Sequence, residues 1–240
     1  MVPSANDLDH FESSRFDAIT FDCYGTLIDW ERGILNALQP VLEPRGVDAT
    51  EDELLERYAL EEAALEAGAY VPYREVLAEA LKRLGTELGF DPSDDECRTF
   101  ARAVTEWPAF DDSEAALRRL HERFRLGVIT NCDGDLFAHS NRRLGVTFDW
   151  IVTAEDARAY KPSQAPFALA FETIEVPRER ILHAAQSLFH DHVPAKRLGL
   201  TTVWVDRRHD RAGFGATPAA SATPDLTVPD MSTLADVLLA

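Results

Sequence analysis

From Asp111 to the C-terminus, short apolar runs alternate with stretches of helical periodicity, and few folds accept that alternation. A helix runs to Phe124, followed by a strand Leu126–Thr130, a helix over Asp133–Leu144, a strand at Trp150–Val152 and a helix over Pro166–Ile174. A strand Ile181–Ala185, a helix over Val193–Leu198, a strand Thr202–Val205 and a final short strand and helix after Leu226 complete the series. Short, mostly apolar runs separated by helices predict an α/β fold: a Rossmann-like parallel sheet with helices on both faces. The stretch Phe16–Leu27 adds one more strand, with Ile19 and Phe21 as its apolar content and Gly25 permitting the turn that follows. Gly213–Pro224 has few large apolar residues and reads as an exposed loop.

Between Asp29 and Phe110 the pattern is purely helical. Ile34, Leu35, Leu38, Val41 and Leu42 form one apolar stripe, Leu54, Leu55, Tyr58, Leu60 and Leu65 a second, and Val76, Leu77, Ala80, Leu81 and Leu84 a third, with a shorter piece around Cys97 to Val104. The expected organisation is a core from residues 1–28 and 110–240, with residues 29–109 inserted as a helical cap over the crevice. Residues 1–14 are a polar lead-in. A chain of 240 residues with 45% hydrophobic content is long enough for such a core plus insertion.

The formal net charge of −18 argues against a nucleic-acid or anionic-membrane partner. An anion site must then come from a few local cations and backbone N–H groups. Cys23, Cys97 and Cys132 show neither disulfide nor zinc spacing. Met1 to Phe16 lacks a basic region followed by an apolar run, and no apolar stretch approaches the roughly 20 residues that span a bilayer, so a cytoplasmic location is expected.

Candidate functional residues fall where strands end. Asp22 follows the first strand, where it can face a ligand crevice or close a turn; the residues alone leave both open. Thr26 is within reach of that carboxylate or of its own backbone. Thr130 and Asn131 can donate to an anion or cap the next helix, and Asp133 favours the capping role as well. Lys161, before Pro162, is either a solvated charge or a cation between two carboxylates. Asp191 can cap the helix near Val193 or stand as a second carboxylate beside Lys161, and His190 and His192 look like general bases, although lone loop histidines are more often surface residues. On the acidic second helix, Arg57 reads as a salt-bridging residue.

Asp22-Cys23-Tyr24-Gly25-Thr26-Leu27 resembles the first signature of the haloacid dehalogenase superfamily, and the resemblance extends in order through Thr130-Asn131, Lys161-Pro162 and Asp191. It implies that Asp22 is a nucleophile. The phosphatases of that superfamily place an acidic aspartate where this chain has Tyr24, and a phenol is a poor acid near neutrality, so the 2-haloacid dehalogenase branch is the better match. The resemblance implies hydrolysis of a short 2-haloacid to a 2-hydroxy acid. Asp22, Thr26, Lys161 and Asp191 would be catalytic; Cys23, Tyr24, Arg57, Thr130, Asn131, Gln186, Ser187 and Leu188 would hold the substrate anion and the halide. Gln186 replaces the carboxylate that binds magnesium in metal-dependent relatives, so no metal or cofactor is expected. Three positions depart from the pattern: Phe167 stands for a tyrosine, Gln186 for a serine and Leu188 for an asparagine. A phosphatase-like hydrolase and an inactive binding relative are the alternatives, and a homodimer is the assembly suggested by analogy.

Overall fold

The computed structural model describes residues 11–240, so residues 1–10 of the expected lead-in lie outside it. Six parallel strands form one sheet: β1 (Ala18–Phe21), β2 (Arg125–Thr130), β3 (Trp150–Thr153), β4 (Ile181–Ala185), β5 (Thr201–Val205) and β6 (Leu226–Val228), in the order β3-β2-β1-β4-β5-β6. Every residue of β1 and β4 is buried, because helices cover both faces and no polar side is required. β1 pairs with β2 on one side and β4 on the other, Phe21 lying beside both Val128 and Ala184. The winding direction reverses between β1 and β4, which opens a crevice beyond the carboxyl ends of those two strands. Asp22 is the first residue past β1.

Between β1 and β2 come α1 (Trp30–Leu42), α2 (Glu51–Glu66), α3 (Tyr73–Glu87) and α4 (Asp94–Ala103). Thr50 and Ser93 cap α2 and α4 with complete capping boxes, through Glu53 and Glu96. Asp133, expected among the caps of its own helix, instead accepts the backbone N–H of Tyr73 at 2.8 Å and of Arg74 at 3.3 Å, so a residue from the sheet side closes the first turn of α3. The two crossings of the insertion lie side by side. Ile28 and Ala109 form an antiparallel bridge, the Asp29 N–H donates to Pro108 O at 2.8 Å, and the Phe110 N–H donates to Leu27 O at 3.1 Å.

After the insertion come α5 (Ser113–His121), α6 (Gly134–Leu144), α7 (Ala154–Ala157), α8 (Ala165–Thr173), α9 (Val193–Arg197) and α10 (Met231–Leu239). A π-helical turn, Leu188–His192, precedes α9, where the sequence suggests only a loop. Its first turn is capped by Ser187, whose hydroxyl accepts the His190 N–H at 2.9 Å, so Asp191 is inside the turn and does not cap α9. The loop over Gly213–Pro224 is less exposed than its composition suggests. Gly215, Ala216 and Thr217 are buried, and the Ala216 N–H donates to Glu31 on α1 at 3.0 Å.

Gly33 marks the tightest approach in the insertion, since a Cβ there would meet Cγ and Cδ1 of Trp107 at 2.3 Å and its Cβ at 2.9 Å. Those atoms are near the root of a buried indole that packs edge-on against Tyr24 with centroids 5.5 Å apart, and cannot swing aside. Gly33→Ala is expected to destabilise the fold by about 1–3 kcal/mol despite alanine's better helix propensity, read as a lower urea midpoint at unchanged m.

Candidate active site

The centre of the crevice is one buried ammonium between two buried carboxylates. Lys161 Nζ donates to Asp22 Oδ1 at 2.8 Å, to Asp191 Oδ1 at 2.7 Å and to the carbonyl of Ile129 at 2.8 Å, which uses all three of its N–H bonds. These partners come from the end of β1, the turn after β4 and the end of β2, and the lysine from the segment after α7. The Lys161–Pro162 peptide is cis. The second oxygen of Asp22 accepts the Thr26 hydroxyl at 2.7 Å, and the Thr26 oxygen accepts the Gln186 N–H at 2.9 Å. Gly25, at φ 92°, turns the chain so that Thr26 can reach back to Asp22.

The two aspartates differ in proton affinity. Burial pushes the Asp22 carboxyl above its ordinary value, Lys161 opposes the shift and Asp191 adds to it. Burial acts on Asp191 as well, but Lys161 and His183 outweigh it and hold that group below the usual carboxylate range. Burial disfavours the Lys161 ammonium, yet the two aspartates prevail and hold its pKa above that of a free lysine. Asp191 is thus firmly ionised, and its Oδ2 is buried with no hydrogen-bond partner among the protein atoms.

His183 is a member of this group that sequence reasoning passed over. It lies within β4, fully buried, with Nε2 3.2 Å from Asp191 Oδ1 and Nδ1 2.9 Å from the Thr20 hydroxyl. An ionised carboxylate only accepts, so Nε2 carries the proton and orients Asp191. Phe167 packs edge-on against the His183 ring with centroids 5.2 Å apart. The one available signal was a histidine inside an otherwise apolar strand.

A cavity of about 20 Å³, room for about one water molecule, lies against this triad. Of the residues singled out in the sequence, Asp22, Tyr24, Asn131, Lys161, Ser187 and Asp191 line it, together with Trp30, Glu62, Glu66, Tyr73 and His190. Asn131 donates one N–H to Glu66 Oε2 and one to the Lys161 carbonyl, both at 3.0 Å, while its oxygen accepts the Lys161 N–H at 2.7 Å. The Tyr24 hydroxyl points away, to Ser140 at 3.0 Å. His190 is buried too, and burial lowers it to about 4, so the surface role read for it does not hold; His192, buried and lowered likewise to about 4, donates its Nε2–H to the Ala185 carbonyl at 2.9 Å.

Four others among the expected binding residues do not line the cavity. Thr130 is buried at the end of β2 with its hydroxyl unpartnered, Cys23 is buried in the loop beside Asp22, Leu188 opens the π turn, and Gln186 turns its side chain to Thr217. Arg57 is a correction of a different kind. It is half-exposed and pairs with Glu87 of α3 at 3.2 Å, because on α2 it sits one residue off the buried stripe. That stripe is Tyr58, Glu62 and Glu66, four residues apart, so α2 presents two acids to the site where the resemblance implied an arginine. Glu62 Oε1 accepts the hydroxyls of Tyr58 at 2.7 Å and Tyr73 at 2.8 Å. Burial raises Glu62 to about 7 even against those bonds, and burial together with Glu62 pushes Glu66 well above the usual range.

Among the described residues, no group of three or more His, Cys, Asp and Glu is arranged to hold a metal ion, and no helix is long and apolar enough to cross a membrane. The family model described as haloacid dehalogenase-like hydrolase matches residues 16–184. Haloacetate dehalogenase H-2 of Moraxella sp. (strain B) is 28% identical over 229 residues, covering 93% of this chain and 98% of its own. The (S)-2-haloacid dehalogenase H-109 of Pseudomonas putida is 27% identical over 233 residues, with the same coverage. In structure the chain resembles the L-2-haloacid dehalogenase of Xanthobacter autotrophicus with chloropropionic acid covalently bound, at a TM-score of 0.78 and 20% identity over 94% of this chain and 99% of that one, a likeness of fold.

Replacing Lys161 by methionine would leave two buried carboxylates facing each other without a cation. At neutral pH the variant is expected to lose about 3–5 kcal/mol. Both folded-state pKa values then lie above their unfolded values, so the folded protein binds protons more readily than the unfolded chain. The deficit is therefore largest at high pH and shrinks as pH falls through the raised values, which urea melts across the acid range will measure.

Proposed function

The chain belongs to the haloacid dehalogenase-like hydrolases, and on that footing we propose that it hydrolyses a carbon–halogen bond through an ester formed on Asp22. The substrate is a short 2-haloalkanoic acid, hydrolysed to a 2-hydroxy acid; its C2, next to the carboxyl carbon, is activated for displacement, and similar relatives are named for haloacetate and (S)-2-haloacids. The observation that carries the reading is the buried Asp22–Lys161–Asp191 triad at the point where the sheet reverses its winding.

In the first step an Asp22 oxygen attacks C2, a carbon–oxygen bond forms, and the carbon–halogen bond breaks with its electron pair leaving as halide. Thr26, bonded to one carboxylate oxygen, fixes the orientation of the attack. In the second step a water gives a proton to Asp191 and adds to the ester carbonyl carbon of Asp22. The Oδ2 of Asp191 has no protein partner and is left for this role, while His183 and Lys161 anchor the other oxygen. Lys161 stabilises the oxyanion that forms. The acyl carbon–oxygen bond then breaks, the departing alkoxide takes up the proton, and the 2-hydroxy product leaves with inverted configuration at C2. The helical insertion closes over the site, excluding bulk water from a carboxylate that is a weak nucleophile when hydrated.

A phosphatase reading is weaker on one observation. The leaving group would need an acid two positions past Asp22, and Tyr24, held at Ser140, has its phenol pushed well above the ordinary value by burial.

Asp22→Asn is expected to lower halide release by on the order of 10⁴-fold or more. Single turnover in heavy-oxygen water should place the label in Asp22 by peptide mass spectrometry; label entering the product directly would rule the ester out. Asp22 reacts as the anion and its pKa is raised above 3.8, so kcat/KM should fall as pH drops through that raised value, with an acid limb above that of an ordinary aspartate.

A further inference from the structure

Most donors around the cavity are already committed. Every N–H of Lys161, the only lysine or arginine lining the space, goes to Asp22, Asp191 and Ile129, and both amide hydrogens of Asn131 go to Glu66 and the Lys161 carbonyl. A substrate carboxylate must therefore be met by other groups. Glu66 and His190 line the cavity and have no role in the two displacements at Asp22. Among the described residues, Glu66 alone lines both this cavity and a neighbouring cleft of about 400 Å³, bordered by the exposed Gly68, Arg158 and Ser163. A substrate entering from that cleft passes Glu66 on its way to Asp22.

Glu66 is buried without a counter-ion. Around the cavity with it stand Glu62 on the same helix, Tyr73 on α3, Asp22 and Asp191 past their strands, and His190, which burial lowers to about 4 and so keeps neutral. Lys161 has no N–H left to give, and Arg158 lies over the Tyr70 ring, 4.5 Å from its centroid. A carboxyl in such surroundings keeps its proton, in line with the rise that burial and Glu62 impose on Glu66. Asn131 donates to Oε2 at 3.0 Å, so Oε2 serves as the carbonyl oxygen and Oε1 carries the hydrogen.

His190 adds a second uncharged donor. Its side chain is more than nine-tenths buried, its Nε2 has no hydrogen-bond partner, and that atom lies 3.6 Å from Glu66 Oε2, too far for a bond between them. The Ser187 oxygen accepts the His190 backbone N–H at 2.9 Å and lies 3.1 Å from Nδ1. Among the described residues the Ser187 hydroxyl has no other acceptor, so its hydrogen goes to Nδ1 and the ring proton sits on Nε2.

We infer that Glu66 Oε1–H and His190 Nε2–H together receive the substrate carboxylate, a fork of two uncharged donors in the place of an arginine. The inference rests on the 2-haloacid reading for the reaction and deepens it by naming the groups that hold the acid. Each donor meets one carboxylate oxygen, and hydrogen bonds to an ionised acceptor are roughly twice as strong as those between neutral groups. Neither donor is a cation, so neither competes with Lys161 for Asp22.

The test titrates propanoate, which has no leaving group, into the protein by calorimetry at neutral pH. Glu66→Ala should bind it about tenfold or more weakly than the wild type, the equivalent of one hydrogen bond, and His190→Phe likewise. Glu66→Gln, neutral and with an N–H to give, should recover most of that loss. With 2-chloroacetate, the loss in Glu66→Ala should fall on KM more than on kcat. The infrared difference spectrum of the wild type with and without propanoate should show the carbonyl stretch of a protonated carboxyl moving on binding, a signal absent from Glu66→Gln. That spectrum decides the matter should the alanine variant fail to fold. The inference is overturned by undiminished binding in Glu66→Ala, by the absence of propanoate binding in the wild type, or by a protonated-carboxyl band that stays still or persists in Glu66→Gln. Binding about tenfold tighter in Glu66→Gln, the mark of an ionised Glu66 repelling the ligand, overturns it as well. If propanoate behaves as expected while 2-chloroacetate yields no chloride, the carbon–halogen reading fails and the recognition of the carboxylate stands.

Discussion

The ammonium of Lys161 carries the structure of the crevice. Two carboxylates from neighbouring strand ends would repel at this distance in a medium that hydrates neither, and burying them is tolerable only because one cation lies between them with all its hydrogens engaged. The arrangement is asymmetric. Asp22 has its remaining oxygen held by Thr26, which the backbone of Gln186 holds in turn, while Asp191, which lines the cavity, has its remaining oxygen buried without a partner among the protein atoms. The same ion pairs therefore yield one acid that is positioned and one that is available, a division of roles produced by second partners and not by the lysine itself.

Much of this was legible in the chain because the signals are local. Predominantly apolar runs such as Leu126–Thr130 and Thr202–Val205 are what a sheet covered on both faces requires, and each appears as a strand within one residue of its expected ends. Asp22, Lys161 and Asp191 each follow a strand or the segment after one, so the parallel topology gathers them at one edge. What escaped was set by register on elements whose ends are legible but whose facing is not. On α2 one residue of rotation separates Arg57, paired with Glu87 at the surface, from Tyr58 and the acids below it. Acids on a helix ordinarily signal a solvated face, and Glu62 and Glu66 are tolerated in the interior because a tyrosine hydroxyl of α2 itself, another from α3 and an asparagine amide from beyond β2 reach them. The π turn at Leu188–His192 has no periodic signature of its own, and His183 was hidden by its apolar neighbours.

Polar ties from the sheet side also shape the helical insertion. Asp133 closes the N-terminus of α3, and Arg208, nearly buried after β5, pairs with Glu31 of α1 at 2.5 Å and Asp52 of α2 at 2.8 Å. Such contacts can break one at a time and re-form, unlike an interdigitated apolar seam. The helix α2 is thus tied at its N-terminal end through Asp52 and at its C-terminal end through Glu66 and Asn131.

The paired crossings at Ile28 and Ala109 have a consequence for how such a protein diversifies. Because the chain leaves and re-enters the sheet through adjacent, hydrogen-bonded positions, the loop is already closed at its base, and lengthening or rebuilding what hangs from it adds only logarithmically to the closure entropy. The scaffold can accept a different helical cassette at that junction while its reactive edge stays fixed, so selectivity and chemistry are free to change at different rates.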